Sequence, residues 1–470
     1  MAPDATPAPP DATPAPSDAT PARPVATPAR PVVTPARPVV TPARPDATPA
    51  RPDATPAEQK TDSAPLRPTF AVSGFVQADW VVHDQSSENE IDPSTGAPLN
   101  QDRILLRRGR VRVMSRYGAA SGHLEIEATT VDGLSVIPFE AALTGTYPTT
   151  VPELAFDRPD EAVRRDRTTS PFAISGHFGL MPIPFGFDAL EIATERPVLE
   201  RARATQAFFG AARDFGVGFS AAYRFARLSA AVMNGQPLGT GSYSGRDLVR
   251  AKDLVGRAGV SLHVAGPVSF EGGLSFLTGT GLHPGLPPTK DSLTWVDSNE
   301  NGQIELSELV SVPGSPGTPS KPFDHSAIGG DARVHVEVPV LGRFTLRGEM
   351  VVAHNLDRSV APADPIATGR TLREIGWQVG ASQELTEHAE VAVRYDSYNP
   401  DADDRRQQGG VTVPENPTYS TWAFDAAGKL DHARLMVEYD HNDNALGRSP
   451  TGAPSRLRDD ALIVRGEYVF

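Results

Sequence analysis

Residues 297–308, DSNENGQIELSE, carry oxygen donors at the spacing of a twelve-residue calcium loop. Asp297, Asn299 and Asn301 occupy positions 1, 3 and 5, and Gly302 at position 6 permits the sharp turn such a loop needs. Gln303 would offer its backbone carbonyl, Glu305 would act through a water, and Glu308 would bind with both carboxylate oxygens. Ile304 fits as the apolar anchor between them. Ca2+ is a hard cation that takes six to eight oxygens, so this donor set suits it. Pro287, Pro288 and Pro313 leave little room for the flanking helices of an EF-hand, and no second such loop is present. Only Asp297 and Glu308 among the direct side-chain ligands are carboxylates, which places the expected Kd in the weak range of roughly 10⁻⁴–10⁻³ M. The competing reading is a polar surface loop.

A second constellation is cationic. Arg108, Arg110 and Arg112 are alternate residues and share one face of any strand they occupy. A guanidinium turned to lipid near mid-bilayer costs about 2–4 kcal/mol, so in a membrane strand these groups must line a wet interior. There they could pass an anion along. Glu125 and Glu127 also share a face, and cross-strand ion pairs would cancel the ladder. Arg107 has the opposite parity, and either snorkels at a rim or sits at a bulge that shifts the register. In the long connection 187–214, the stretch Pro197–Phe208 reads as a short helix with proline at its start. Arg196, Glu200, Arg201 and Arg203 would face the interior if this connection folds inward, and would form an ion-paired external loop otherwise. No Gly-x-Ser-x-Gly, His-Glu-x-x-His or P-loop pattern occurs, and the 11 histidines are scattered. A chain without cysteine has no disulfide, thiolate metal site or thiol nucleophile.

The elements that must position these groups are strands. From Thr69 onward, about sixteen short runs alternate apolar with polar residues, from Phe70–Val82 to Asp460–Phe470. Leu435, Val437 and Tyr439 alternate with Arg434, Glu438 and Asp440; Val334, Val336 and Val338 alternate with Arg333, His335 and Glu337. Charges on one face of nearly every run imply a water-filled interior. Tight turns such as 224–228, 264–268 and 339–342 alternate with long connections at 83–103, 187–214, 236–253, 279–325, 355–370, 399–418 and 441–459. Sorting of short and long connections to opposite ends is expected of an outer-membrane barrel and not of a soluble sandwich. One connection departs from this: 148–171 falls where a short turn belongs, yet is long and charged. The final run, Ala461–Phe470, ends on an aromatic, as outer-membrane barrel strands recognised by the assembly machinery do. No run of about 18 apolar residues exists, so no transmembrane helix is expected.

Residues 4–59 repeat a heptapeptide built on Thr-Pro-Ala-Arg-Pro, with Arg23, Arg30, Arg37, Arg44 and Arg51 seven apart. Two prolines per unit forbid helix, and nothing in it can bury a core, so residues 1–67 read as a disordered, extended spacer. Its arginines would suit an anionic cell-wall polymer. The net charge of −14 and pI of about 5.3 argue against nucleic-acid binding. The opening residues contain no basic segment followed by an apolar one, so no signal peptide is visible.

Four motifs then fall in order. Arg107-Arg108-Gly109-Arg110 lies within LRRGRVR at 106–112 and resembles the Arg-Arg-x-Arg element of phosphate-selective porins of the O/P type. Residues 182–186 (PIPFG), 213–217 (RDFGV) and 232–235 (VMNG) resemble that family's successive elements around an inward-folded third loop. The resemblance spans roughly 68–470 and implies a sixteen-stranded, trimeric outer-membrane channel of a Gram-negative bacterium. It does not carry phosphate selectivity, because lysine occurs only at 60, 252, 290, 321 and 429, outside the third-loop region. The expectation is therefore an all-β chain. Residues 68–470 form a transmembrane antiparallel β-barrel that passes small hydrophilic solutes, with an anion preference and a calcium loop, and that is not an enzyme. The alternative is a structural anchor tethering the cell wall through its proline-rich arm.

Overall fold

The computed structural model describes residues 67–470, except for most of 85–101, for 150–171, 239–249, 296–302 and 357–364, and for shorter pieces of the other long connections. The N-terminal repeat and nearly all of the charged segment 148–171 lie outside the described residues. The chain divides into 1–62 and 63–470, and the fold is that of the second unit.

Sixteen strands close into one barrel, each bonded to its sequence neighbours and the last to the first. They are β1 Thr69–His83, β2 Asp102–Tyr117, β3 Ala120–Thr129, β4 Ser135–Tyr147, β5 Phe172–Pro182, β6 Arg213–Tyr223, β7 Ala226–Met233 and β8 Asp253–Ala265. The second half comprises β9 Val268–His283, β10 Lys321–Val338, β11 Gly342–His354, β12 Arg373–Thr386, β13 Ala389–Asn399, β14 Tyr419–Leu430, β15 Ala433–Asp443 and β16 Ala461–Val469. The seam is antiparallel, from Phe75 opposite Val469 to His83 opposite Ala461. Phe470 completes it by exchanging backbone hydrogen bonds of 2.9 Å with Gly74 in both directions.

Turn chemistry fixes which strands are hairpins. Gly118 at φ 60° and Gly266 at φ 53° supply the left-handed residue that a two-residue β-turn needs. Connections of two or three residues link β2–β3, β6–β7, β8–β9, β10–β11, β12–β13 and β14–β15 at one end of the barrel. All the longest connections other than 148–171 lie at the opposite end. Three of them carry small hairpins of their own: Ser292–Trp295 with Leu309–Val312, Arg405–Gln408 with Val411–Pro414, and Gly447–Arg448 with Pro454–Ser455.

Alternation sets the two faces. On β14, Trp422 and Phe424 point outward while Thr421, Ala423, Asp425 and Ala427 are buried inside. On β15, Leu435, Val437 and Tyr439 point outward while Arg434, Met436 and Glu438 point in. Exposed aromatics stand at both ends of the outer surface, with Phe178, Phe219, Phe276 and Phe424 between them. Phe70, Tyr117, Tyr147, Phe172, Tyr223, Tyr468 and Phe470 ring the short-turn end, and Trp80, Phe215, Trp377, Trp422 and Tyr439 ring the other. Trp377, Tyr395 and Trp422 form a continuous outer ladder with ring centroids 5.2 and 4.8 Å apart. Between Phe70 and Trp80 the outer side of β1 runs roughly 33 Å, and a strand tilt of about 40° reduces this to a height of about 25 Å.

Candidate functional site

The β5–β6 connection, residues 183–212, turns into the barrel and crosses its interior as a strap. Pro182 and Pro184 lack the N–H groups that would extend the β5 ladder. Gly186 then turns at φ 59°, where any Cβ would lie 2.1 Å from a Glu349 carboxylate oxygen. Glu349 accepts from the backbone N–H groups of Phe187 and Asp188 at 3.0 Å each, and Ser275 Oγ accepts from Gly186 N at 3.0 Å. The strap thus leaves the wall at β5 and is fastened first to β9 and β11.

Its apolar side provides the core that the barrel wall alone lacks. Ile183, Phe185, Leu190, Phe208 and Phe209 pack against Met233, Val255, Leu277, Val351 and Tyr398. The rings of Phe185 and Phe209 are 5.0 Å apart, and Phe208 meets Tyr398 edge-on at 5.4 Å. A short helix, α1 Arg203–Phe209, lies against β12 and β13 so closely that a Cβ on Gly376 would stand 2.1 Å from that of Ala204. The helix expected from Pro197 therefore starts six residues later. Wall and strap carboxylates draw 197–202 out of helical geometry: Leu199 N donates to Glu438 at 2.9 Å and Ala202 N to Asp188 at 3.0 Å.

The strap's tip is stapled to the far wall. Glu200 accepts from Arg108 Nη1 at 3.1 Å and Nη2 at 2.6 Å, and from Arg465 Nη2 at 2.7 Å. Arg107 Nε stands 3.9 Å away. Burial would raise the Glu200 carboxyl, but Arg108, Arg465 and Arg107 hold it well below the usual carboxylate range. Backbone carbonyls are gripped as well: Arg465 donates to Leu199 O at 2.9 Å, Arg394 to Glu200 O at 2.5 Å and Arg434 to Arg196 O at 2.9 Å.

The arginine ladder faces the interior, and each member holds a carboxylate. Arg110 donates to Glu127 at 2.6 Å and lies 3.4 Å over the Phe139 ring. Arg112 pairs with Glu125 at 3.3 Å and also with Glu140, which Arg213 holds from the other side at 2.5 Å. Arg107 is the extra residue of a β-bulge, because Gln77 pairs with Arg108 and Ala78 with Leu106. The bulge turns it inward to donate to Asp79 at 2.8 Å, so it does not snorkel at the rim.

The strap arginines are anchors. Arg196 is buried and donates to Glu191 O at 3.1 Å, and Arg201 donates to Asp188 O and Ala189 O at 3.1 Å each. Arg203 reaches Thr421 Oγ1 at 2.7 Å and Asn442. The wall residues that hold the ladder and the strap, Asp79, Glu140, Glu349, Arg394, Glu438 and Arg465, were not singled out as site residues from the sequence. The signal available for them was the parity of charged residues on each strand.

In the calcium-type loop, Asp297, Asn299, Asn301 and Gly302 lie outside the described residues. Gln303 and Glu305 are exposed, and Leu306–Glu308 form one 3₁₀ turn. Trp295 pairs with Leu309, so strands and not helices flank the loop. Among the described residues, no three His, Asp or Glu side chains stand close enough together to hold a metal ion.

No known protein family matches the chain, and no curated protein matches it. Among solved structures, it is similar to the outer membrane channel DcaP of Acinetobacter baumannii, at 10% identity and TM-score 0.47 over 86% of this chain and 97% of that one. An anion-selective porin from Comamonas acidovorans matches at 9% identity and TM-score 0.47, over 86% of this chain and 100% of that one. OprB of Pseudomonas putida matches at 10% identity and TM-score 0.46, over 86% of this chain and 94% of that one. The fold assignment rests on the chain's own closed sheet and not on these likenesses.

Proposed function

We propose that residues 68–470 form an outer-membrane porin of a Gram-negative bacterium, a passive channel for small hydrophilic solutes and not an enzyme. One observation carries this reading. The outer surface is apolar over a height of about 25 Å and bounded by two aromatic girdles, while the interior is charged and, among the described residues, crossed by the strap 183–212. A packed soluble barrel would bury neither so many arginines nor so many carboxylates. Purified protein in a planar bilayer should give stepwise conductance, and it should fractionate with outer membranes and migrate faster unheated than boiled. Recovery in the soluble fraction without heat-modifiable migration would refute the reading. Homotrimeric assembly, and insertion by the barrel-assembly machinery through the strand ending at Phe470, belong to the same proposal.

Anion preference would require the ladder to outweigh the acids around it. Arg108, Arg110 and Arg112 are matched by Glu200, Glu127, Glu125 and Glu140, which favours weak charge selectivity. The reversal potential in a salt gradient decides this.

The proposal extends to calcium in the loop 297–308. Pairing of Ser292–Trp295 with Leu309–Val312 holds the two ends of the loop side by side, which favours a compact turn around an ion. Asp297, Asn299, Asn301 and Glu308 would supply side-chain oxygens, Gln303 its carbonyl and Glu305 a bridging water, ordering a long external loop. Calorimetry on the parent and on Asp297→Ala/Glu308→Gln tests it. No heat from the parent at millimolar calcium, or equal heats from both, would refute it.

A further inference from the structure

Beneath the strap tip, three interior carboxylates lack the partners that every ladder arginine has. Asp425 on β14 stands directly opposite Glu438 on β15, and Asp440 is two residues further along the same face. Direct cross-strand neighbours lie about 5 Å apart and i, i+2 neighbours about 7 Å. No Lys, Arg or His nitrogen of the described residues comes within ion-pair distance of these three. Glu438 accepts one N–H, from Leu199. Asp425 is only 5% exposed, yet neither of its oxygens has a hydrogen-bond partner, and Asp440 Oδ1 has none either.

Most of the surrounding cations are engaged elsewhere, while Arg434 keeps Nε and Nη2 without a hydrogen-bond partner. Arg394 pairs with Asp396 at 3.0 Å, Arg465 with Asp79 at 2.7 Å and Lys429 with Glu390 at 2.6 Å, while the nearest carboxylate to Arg434 is Glu390 at 3.7 Å. Buried carboxylates without a paired cation are unfavourable by several kcal/mol unless they take up protons, so an ammonium group reaching them would stabilise the ionised form. The spacing of the three does not make a metal site, since among the described residues no group of three is placed to hold one. It fits a group with several N–H donors. Val198 of the strap packs on Ala392 and Ala423, and Leu199 packs on Ala427 and Met436, so apolar surface flanks Asp425 on both sides. Half-buried Asp440 leaves a way in from the long-loop end.

We propose that Asp425, Glu438 and Asp440 form a binding site for the ammonium group of a permeating alkylamine-type solute. The inference deepens the channel reading and rests on it. The probe is putrescine, a diammonium with a short methylene chain.

In a planar bilayer, putrescine should block the current of the full-length channel in a dose-dependent way, and a dicarboxylate of the same length should not. Asp425→Asn with Asp440→Asn should raise the half-blocking concentration at least tenfold, the change expected from losing one charge-assisted hydrogen bond. Asp440→Asn alone should raise it less. Heat-modifiable migration checks that each variant still forms its barrel. Calorimetry of putrescine with the detergent-solubilised protein reads binding independently of conductance. Binding that is lost in the double variant, without any stepwise current, would refute the channel reading and leave the site standing. Equal block and equal heats in parent and variant, or neither at millimolar putrescine, would overturn the site.

Discussion

Glu200→Gln removes the charge at the strap's tip while keeping its shape. In the parent, the carboxylate takes three hydrogen bonds of 2.6–3.1 Å from Arg108 and Arg465. Removing one partner of a buried charge pair costs about 3–5 kcal/mol. The Glu200 side chain is 26% exposed, so water restores part of this and we expect about 2–3 kcal/mol. The backbone staples from Glu438, Arg394, Arg434 and Arg465 remain, so the strap should stay seated most of the time. At 1.4 kcal/mol per tenfold, the unseated population rises about 30- to 150-fold. Single-channel recording should then show brief excursions to a second conductance level that the parent lacks. The pH dependence has a definite sign. The Glu200 carboxyl is depressed in the fold, so its stabilisation is complete above the unfolded value of about 4.3 and is lost only as pH falls through the much lower folded value. The contribution of Glu200 to seating the strap should therefore not change between pH 7 and about 4.5, and the difference between parent and variant should be the same at both. A variant trace identical to the parent, or a difference that vanishes by pH 5, would refute the latch.

Other perturbations test neighbouring parts. Gly376→Val should displace α1 from the wall, since a Cβ there meets that of Ala204 at 2.1 Å, and should raise protease cleavage within 183–212 while leaving the barrel heat-modifiable. Arg110→Ala with Arg112→Ala frees Glu125 and Glu127, leaves Glu140 to Arg213, and should move the reversal potential toward cation preference; no movement would mean these groups lie off the conduction path. Phe470→Ser should lower assembly yield, because the Phe470 ring covers Gly74 beside the β1–β16 seam, and unchanged yield of heat-modifiable protein would argue against it.

How far the sequence could be read follows from which interactions are local. Period-two alternation is local, so all sixteen strands were legible, with inward faces such as that of Arg434 and Glu438 on β15. Turn residues are local too, which is why connection lengths announced the barrel. Arg107 shows the limit of parity: a single bulge opposite Gln77 reverses its face, and both of the readings weighed for it fit the sequence equally. Helix placement failed at Pro197 for a similar reason. Proline favours a first helical turn, but the carboxylates of Glu438 and Asp188 compete for the backbone N–H groups, and Glu438 is 239 residues from Leu199.

The strap explains why those distant partners exist. A sixteen-stranded barrel is too wide for its own side chains to fill. Residues 183–212 supply the missing apolar volume, chiefly against the arc from β7 to β13, where Met233, Val255, Leu277 and Val351 face inward. On the remaining arc, β14 to β16 and β1 to β4, the contacts are mixed: Leu199 packs with Val81, Leu105, Ala427, Met436 and Ile463, while Arg108, Arg465 and Glu438 hold the strap's tip by charge. Glu200 holds the strap's tip to this arc, so the seating of the tip sets how much of the interior stays open beside it. The two arcs differ in how they hold the strap, one chiefly by apolar packing and the other by paired charge around a smaller apolar cluster. The unpartnered oxygens of Asp425 and Asp440 lie on the second arc, close to the strap's tip at Leu199.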